Sequence, residues 1–393
     1  GLPHAGEEAA PRGPGSDRRR DGACGHVIVK RLELDFFRNY PHLEAEFDPR
    51  VNLIYGDNAQ GKTNLLEAVA YLSAARSHRA RYDREMIMLD IDAAFVKGEV
   101  FSRDRDFTLE ARLLRGRGRQ LWSNGVRLKT AGELAGILNT VLFCPEDLSL
   151  IRAGSEERRR FLDGAICQLR PRYAQALAEY SRLYGHKTRI LRDWPENPSM
   201  LDTLDDFNLR MAQTGAIVIH YRAHFIKRLR ERPPAIHGEF SGGREGLELG
   251  YSTVSNIPDP QAPPRELLPL LLEHQEKHRK AEIDSRQCLS GPHKDDLTVD
   301  IGGKNAKTYA SQGQTRTAAL SLKLAQREIF QEETGEWPVL LLDDVLSELD
   351  PRRQAFVLNR IRGGQVFITC CEEEKLEGLE GGRAFHIHNG KLV

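Results

Sequence analysis

One short stretch combines residue types that bind phosphate groups in many proteins. It reads VNLIYGDNAQGKTNLLEAV over residues 51–69, and Gly56 to Thr63 within it fits the pattern G-x-x-x-x-G-K-[ST]. The two glycines let the backbone curl until its N–H groups converge on an anion, at the start of a helix whose dipole adds attraction. An apolar strand before the loop and a helical pattern after it favour nucleotide binding over an ordinary glycine-rich turn.

The motif also predicts roles for the charged and hydroxyl side chains of the loop. Lys62 is expected to reach the β- and γ-phosphates and to assist catalysis, and the Thr63 hydroxyl is expected to bind Mg²⁺. The predicted nucleotide-binding positions are Gly56, Asp57, Asn58, Ala59, Gln60, Gly61, Lys62 and Thr63. A phosphate loop alone does not separate kinases, GTPases, helicases, transporters and repair motors.

A second stretch, VLLLDD at residues 339–344, is an apolar strand that ends in two carboxylates. Asp343 is predicted to hold Mg²⁺ directly or through water, and Asp344 to orient or deprotonate the attacking water. The alternative is a buried strand followed by two solvated Asp. Because the loop and this strand must meet around one ion, the nucleotide-binding part is predicted to be split in sequence.

A third stretch, SQGQ, lies between them and precedes a helical pattern. Ser311, Gly313 and Gln314 are therefore placed either to meet an anion with hydroxyl and N–H groups or simply to cap the helix.

The elements that position these motifs follow from composition and periodicity. The 393 residues are 40% hydrophobic and 29% charged, which suits a large core and about two domains. No apolar run approaches the roughly 20 residues that cross a bilayer, so no membrane partner is expected. The six cysteines show no metal spacing, which is typical of a cytoplasmic protein, and Cys370 and Cys371 are predicted to be buried strand residues.

The composition and hydrophobic periodicity of the sequence change three times along the chain. Residues 1–25 are predicted to form a disordered tail, because they are rich in Gly, Pro and charge. Residues 26–150 and 284–393 have α/β texture, whereas residues 151–283 are mostly helical and charged. We therefore predict an α/β head in two sequence segments with a helical arm inserted between them.

Basic residues indicate where DNA would bind. The 57 Lys and Arg balance 57 Asp and Glu, so a DNA surface must be a local patch. The stretch FTLEARLLRGRGRQLWSNGVRLK, residues 107–129, predicts a β-hairpin with an Asn124-Gly125 turn, and its basic part, residues 111–129, contains no acidic residue. The predicted DNA contacts are Arg112, Arg115, Arg117, Arg119 and Lys129. A solvated basic face is the alternative.

Together these motifs resemble the ATP-binding-cassette (ABC) superfamily, and within it the SMC-like DNA-repair ATPases. SQGQ resembles the signature motif of that superfamily, and SELD at residues 347–350 resembles its D-loop. The chain is more specifically similar to the RecF family of bacterial recombination-repair proteins. The stretches that carry this similarity are FRNY from residue 37, ARSHR from 75, LFCPEDLSLIRAGSEERRRFLD from 142, GPHKDDL from 291 and the motifs above.

The resemblance implies an ABC-type P-loop ATPase head with an inserted arm, which forms a homodimer on binding ATP and Mg²⁺. The loop of one subunit would then face the SQGQ of the other. The resemblance also implies binding to duplex DNA at single-strand gaps and, with RecR and RecO, promotion of RecA loading. The implied activity is a weak, DNA-stimulated ATPase.

Two departures from ABC transporters predict slow hydrolysis. The second carboxylate is Asp344 rather than Glu, and the segment after the last core strand reads ITCC, without a histidine at the γ-phosphate. An ATPase subunit of an ABC transporter is the alternative function. A phosphotransferase lacks an evident acceptor site. His293 and Lys294 in GPHKDDL are assigned either to the nucleotide interface or to the junction of head and arm.

Overall fold

The computed structural model describes residues 25–254, 257–371 and 382–393. The predicted disordered tail, residues 1–25, lies outside this part of the chain except for Gly25, which begins the first strand.

Most of the strands precede or follow the helical segment, and β10 lies within it. The strands are β1 Gly25–His26, β2 Ile28–Phe37, β3 Tyr40–Glu46, β4 Val51–Tyr55, β5 Ala93–Ser102, β6 Arg105–Leu114, β7 Gln120–Ser123, β8 Val126–Arg127, β9 Thr140–Phe143, β10 Leu247–Ser252, β11 Asp296–Ile301, β12 Lys304–Asn305, β13 Glu336–Trp337, β14 Val339–Leu342, β15 Val366–Cys370, β16 Arg383–His388 and β17 Lys391–Leu392.

The helices concentrate in the middle of the chain. They are α1 Lys62–Ala74, α2 Ser155–Leu169, α3 Pro171–Asp193, α4 Leu204–Glu231, α5 Pro233–Ser241, α6 Pro264–Ser285, α7 Ala306–Tyr309, α8 Gln312–Thr334 and α9 Pro351–Arg360. Short 3₁₀ turns join several of them, among them Pro145–Ser149 and Val345–Glu348. No helix in the described part of the chain is long and apolar enough to cross a membrane.

An antiparallel sheet forms the outer layer of the head, in the order β3-β2-β5-β6-β7-β8. Alternate residues of β5 are buried, as expected for a strand with one face on a core. The predicted hairpin contains two turns rather than one. β6 and β7 flank residues 115–119, and Asn124-Gly125 joins β7 to β8. Both residues of the second turn have positive φ (50° and 76°), which explains the Asn-Gly pair.

A second sheet carries the predicted nucleotide motifs, in the order β17-β16-β4-β15-β14-β9. Strands β4, β15, β14 and β9 are parallel, so their carboxyl ends meet at one edge. The strand before the phosphate loop, β4, and the strand before Asp343, β14, are separated by β15 alone. Leu65, Leu66 and Val69 of α1 belong to the core that this sheet shares with the antiparallel sheet.

The helical segment packs on the other face of this second sheet. One apolar core contains Leu340 and Leu342 of β14, Leu320 and Leu324 of α8, and residues of α2 and α4 such as Phe161 and Phe225. Strand β10, which lies within the predicted arm, pairs with β11 of the predicted C-terminal head segment. The segments predicted as arm and head thus share an apolar core and a small sheet.

Candidate nucleotide site

The phosphate loop connects the end of β4 to the start of α1 through a backbone that requires its glycines. Gly56 and Gly61 have φ values of 144° and 118°. A Cβ atom at Gly56 would lie 2.3 Å from the carbonyl oxygen of Ile387, and one at Gly61 would lie 2.7 Å from the Asn39 amide group. Since L-residues with side chains rarely adopt such φ values, both positions need glycine.

Lys62 lies inside the curl of the loop. Its side chain belongs to a residue only 4% exposed, and Nζ donates to the carbonyls of Gly56 (2.6 Å) and Asp57 (3.0 Å). This geometry holds the ammonium group over the loop at the N-terminus of α1. The arrangement offers an anion one positive side chain together with a helix N-terminus.

The structure brings Thr63 and Asp343 into contact. Thr63 Oγ1 donates to Asp343 Oδ1 at 2.9 Å, although the two residues are 280 positions apart. Asp343 is 4% exposed, and burial raises the pKa of its carboxyl above the usual range. A hydroxyl and a carboxylate are oxygen donors of the kind that Mg²⁺ prefers, so Thr63 and Asp343 would be the residues that hold the ion.

Thr369 is a third member of this cluster, and the sequence did not predict it as a site residue. It belongs to β15, the strand between β4 and β14, and its Oγ1 donates to Asp343 Oδ1 at 2.9 Å. Thr369 Oγ1 also accepts a hydrogen bond from the backbone N–H of Asp344 at 2.8 Å. Nothing in the local sequence ITCC marks a threonine as a partner of Asp343, because the contact depends on strand order.

Asp344 has a left-handed backbone, with φ of 49°, where β14 passes into the following 3₁₀ turn. Its N–H and carbonyl are held by Thr369 and Ser347, whereas its half-buried carboxylate accepts no hydrogen bond from the described residues. A carboxylate fixed through its backbone but free at its oxygens suits the predicted role toward water. That role stays a prediction.

The SQGQ segment caps α8. Ser311 Oγ accepts from the N–H of Gln314 (3.2 Å), and Gln314 Oε1 accepts from the N–H of Ser311 (2.7 Å). This reciprocal pair is a capping box, so the capping alternative is realised. Ser311 is nevertheless exposed, and no described contact joins it to the phosphate loop of the same chain. A role of SQGQ toward a nucleotide therefore requires a second molecule.

Two arginines that the sequence analysis did not single out tie SQGQ to SELD. Arg353 donates to the carbonyl of Gly313 at 3.1 Å and also pairs with Asp350. Arg316, in the first turns of α8, donates to the carbonyl of Glu348 at 3.2 Å. The predicted signature and D-loop therefore form one connected surface.

Side chains of FRNY donate hydrogen bonds to the phosphate loop. Asn39 Nδ2 donates to the carbonyl of Gln60 (2.8 Å), and the Tyr40 hydroxyl donates to the carbonyl of Gly61 (2.8 Å). Arg38 makes two hydrogen bonds to Glu67 of α1, which is fully buried. Hydrogen bonds from Arg38 and Ser77 outweigh the effect of burial and lower the pKa of Glu67. The sequence marked FRNY only as a family signature, so this supporting role is a finding of the structure.

The predicted DNA-binding residues do not share one environment. The Arg112 guanidinium lies 5.1 Å above the ring of Phe95, and Arg115 donates to the backbone carbonyls of Ile91 (3.0 Å) and Met88 (3.3 Å). Arg119 pairs with Asp83 at 3.0 Å. The side chains of Arg117 and Lys129 are exposed and make no hydrogen bond or ion pair with the described residues.

GPHKDDL contacts the helical segment. His293 Nδ1 lies 2.7 Å from the Tyr180 hydroxyl of α3, and the carbonyl of Pro292 accepts from Arg222 of α4 at 2.7 Å. Asp296 makes a two-pronged pair with Arg158 of α2. Of the two assignments that the sequence left open for His293, the contacts favour the junction of head and arm; Lys294, in the same turn, is exposed.

Comparison with known proteins identifies the family. The sequence model described as "RecF/RecN/SMC N terminal domain" matches residues 28–389. A protein of Lachnoclostridium phytofermentans named "DNA replication and repair protein RecF" is 39% identical over 372 residues, which are 93% of this chain and 99% of that protein. The chain belongs to the RecF family.

Solved structures agree with this assignment. A structure described as "the recombination mediator protein RecF-ATPrS in RecFOR pathway" superposes on this RecF-family chain with a TM-score of 0.87 and 34% identity, covering 95% of this chain and 99% of that one. An Smc head domain from Pyrococcus furiosus, at 15% identity and a TM-score of 0.52, shares the fold over 93% of this chain and 96% of its own. The predicted SMC-like ABC ATPase fold is confirmed.

Proposed function

We propose that this chain binds ATP and Mg²⁺ and that ATP brings two copies together on duplex DNA. The observation that carries the proposal is the 2.9 Å contact between Thr63 and Asp343, which assembles a hydroxyl and a carboxylate at the mouth of a phosphate loop. Membership of the RecF family and the likeness to a RecF structure described with an ATP analogue support the same ligand.

The ATP phosphates fit the loop through its own groups. The N–H groups between Gly56 and Thr63 bind phosphate oxygens, and Lys62 neutralises charge on the β- and γ-phosphates. Thr63 and Asp343 would hold Mg²⁺, which would offset the charge of the phosphates. Among the described residues, no group of three or more His, Cys, Asp or Glu is placed to hold a metal alone. An ion that shares its ligands with phosphates and water does not need such a group.

Dimerisation gives the exposed cap of α8 a use. In the proposed homodimer, Ser311, Gly313 and Gln314 of one chain approach the ATP held by the other. Because the hydrogen bonds of Arg353 and Arg316 connect SQGQ to SELD, SELD would lie at the same interface. Binding of ATP thus becomes the event that closes the dimer.

Hydrolysis is proposed to be slow and to be stimulated by DNA. The carboxylate assigned to the attacking water is the shorter Asp344. At the end of β15, where transporters carry a histidine, Cys371 contacts Asn58 of the loop, with Sγ 3.3 Å from Oδ1. A thiol offers less stabilisation to a developing phosphate charge than an imidazolium. Cys371 is exposed rather than buried, which corrects the expectation of a buried pair.

The proposed ligand is duplex DNA at single-strand gaps. RecR and RecO are the proposed partners in loading RecA, in the cytoplasm. Family membership supports this pathway, and the free cationic side chains of Arg117 and Lys129 support a backbone contact. No observation favours the transporter alternative.

Light scattering with ATP, and with ATP plus a gapped duplex, tests the proposal. The parent should change from monomer to dimer with ATP and Mg²⁺ and should bind the duplex more tightly as a dimer. Arg105→Ala replaces an exposed residue at the start of β6 and serves as a control variant in which the phosphate loop is intact. A parent chain that stays monomeric at saturating ATP would rule the proposal out.

A further inference from the structure

Glu245, a residue of the helical segment, contacts the SQGQ cap of α8. It lies between α5 and β10, and its Oε1 accepts a hydrogen bond from Nε2 of Gln314 at 2.6 Å. The two residues are 69 positions apart in the chain. The contact therefore links the segment predicted as arm to the motif that the proposed dimer would present to the ATP of the other chain.

The side-chain amide of Gln314 has a different kind of partner at each end. A carboxylate only accepts hydrogen bonds, and a backbone N–H only donates them. Nε2 must therefore face Glu245, and Oε1 must face the N–H of Ser311, which lies 2.7 Å away. An amide turned the other way would replace both hydrogen bonds with repulsive contacts. Glu245 thus fixes the orientation of the Gln314 amide and, through it, the backbone of Ser311.

The ordered cap keeps hydrogen-bond donors available for an anion. Ser311 Oγ accepts from the N–H of Gln314, a bond that does not use the hydroxyl hydrogen. The N–H groups of Gln312 and Gly313 lie in the first turn of α8, where a helix provides no carbonyl partner. One hydroxyl and two backbone N–H groups are therefore donors that this helix N-terminus can offer to a phosphate.

The other neighbour of the Glu245 carboxylate does not compete with Gln314. His237 Nε2 lies 3.6 Å from Glu245 Oε2, which is too long for a hydrogen bond. Burial lowers the pKa of His237, so its ring is neutral at pH 7 and contributes no charge. Within the described residues, Glu245 makes no other ion pair. Its hydrogen bond is therefore directed at the cap.

The segment that leads to Glu245 is braced against the same surface. The Phe240 ring of α5 meets Phe356 of α9 edge to face, with ring centroids 5.4 Å apart. The guanidinium of Arg353 lies 4.9 Å from the centroid of the Phe240 ring and also donates to the carbonyl of Gly313. The carboxylate is thus supplied from a segment that is packed against α9 and connected to SQGQ through one arginine.

We propose that Glu245 is a positioning residue for the ATP-dependent dimer. It acts on the ATP of the other chain through Gln314 and Ser311, without touching that ATP itself. This role rests on the proposed function and deepens it, because a determinant of dimerisation then lies in the helical segment. Loss of the carboxylate frees the Gln314 amide, so the cap meets the second nucleotide in a less ordered state and binds it less tightly.

Glu245→Ala should raise the ATP concentration for half-maximal dimerisation by at least about fivefold, since each of the two interfaces loses an ordered cap. Glu245→Gln keeps an oxygen that can accept from Gln314 Nε2, so it should recover most of this loss. Light scattering at a series of ATP concentrations measures the midpoints. Calorimetry on dilute, monomeric chains should give the same ATP affinity for the parent and both variants, because the phosphate loop is unchanged.

Arg244→Ala is the matched control, since Arg244 is the exposed neighbour of Glu245, and its midpoint should equal that of the parent. A parental midpoint in Glu245→Ala overturns the proposal. A midpoint lowered in both Glu245 variants also overturns it, because the carboxylate would then act by repelling the phosphates.

A double-mutant cycle separates positioning through Gln314 from a general effect on the fold. If Glu245 acts through Gln314, Glu245→Ala should cause no further shift of the midpoint in a Gln314→Ala background. Fully additive shifts overturn the proposal. A parent chain that never dimerises with ATP would refute the proposed function and this role with it. A parent chain that dimerises while Glu245→Ala behaves identically would refute the role of Glu245 alone.

Discussion

At the phosphate loop, polar groups from four separate segments converge, whereas the arginines of the 111–129 hairpin turn to different partners. Thr63, Asp343 and Thr369 meet within 2.9 Å contacts, and Asn39 holds the loop from outside. In the hairpin, Arg119 pairs with Asp83, whereas the side chains of Arg117 and Lys129 make no hydrogen bond or ion pair with the described residues. Shared charge in a sequence stretch therefore does not imply a shared surface, whereas convergence from distant segments does indicate a constructed site.

If the loop is such a site, single substitutions there should have large effects. Asp344→Asn removes a base and keeps the shape, so we expect ATP turnover to fall by about 10²- to 10⁴-fold while ATP binding survives. The variant should accumulate as an ATP-bound dimer that leaves DNA more slowly. Phosphate release, light scattering and the DNA dissociation rate measure these effects.

Asp343→Asn is the matched control for that experiment. Since Asp343 is assigned to Mg²⁺, this variant should remain largely monomeric with ATP, and a general folding defect would affect both variants alike. If Asp344→Asn stops hydrolysis yet releases DNA as quickly as the parent, hydrolysis does not time release.

Lys62→Ala should weaken ATP binding by about 100-fold, equivalent to about 2.7 kcal/mol, because it removes charge-assisted bonds to the phosphates. Calorimetry measures the affinity, and a thermal melt checks the fold. Arg117→Ala should leave ATP affinity unchanged. Near-parental affinity in Lys62→Ala would dismiss the loop as the nucleotide site and remove the contrast with the hairpin.

Ser311→Arg should block ATP-dependent dimerisation by placing bulk and charge against the ATP of the other chain. Ser311→Ala provides the control, since both variants lose the cap, worth about 1 kcal/mol of stability, but only the first adds bulk. Sizing with ATP distinguishes them. Equal dimerisation by the two variants would mean that SQGQ is only a helix cap.

The smallest effects are expected in the hairpin. Arg117→Ala and Lys129→Ala should each reduce the log–log salt dependence of duplex binding by about 0.9 for every phosphate that the side chain neutralises, with no preference for DNA sequence. Arg119→Ala should instead cost up to about 1 kcal/mol of stability through loss of the pair with Asp83 and leave the slope unchanged. The slope is obtained from fluorescence-anisotropy titrations at several salt concentrations. A slope altered by Arg119→Ala alone would reverse this division.

Local sequence patterns were sufficient to predict the features that depend on backbone geometry. Gly56 and Gly61 occupy φ values that glycine favours, the Asn124-Gly125 turn has positive φ at both residues, and VLLLDD is a buried strand followed by carboxylates. The helical pattern that follows the loop corresponds to α1, which begins at Lys62. These signals are readable because the residue types that allow each local conformation are few.

Which distant groups come into contact could be seen only in the folded chain. Thr369 touches Asp343 because β15 lies between β4 and β14, and Arg353 joins SQGQ to SELD because α9 packs beside α8. The same applies to Arg119 of the hairpin, whose partner Asp83 lies 36 positions away in the chain. A hydrogen-bond partner far away in the chain leaves no local periodicity or spacing, so strand order and helix packing alone specify it.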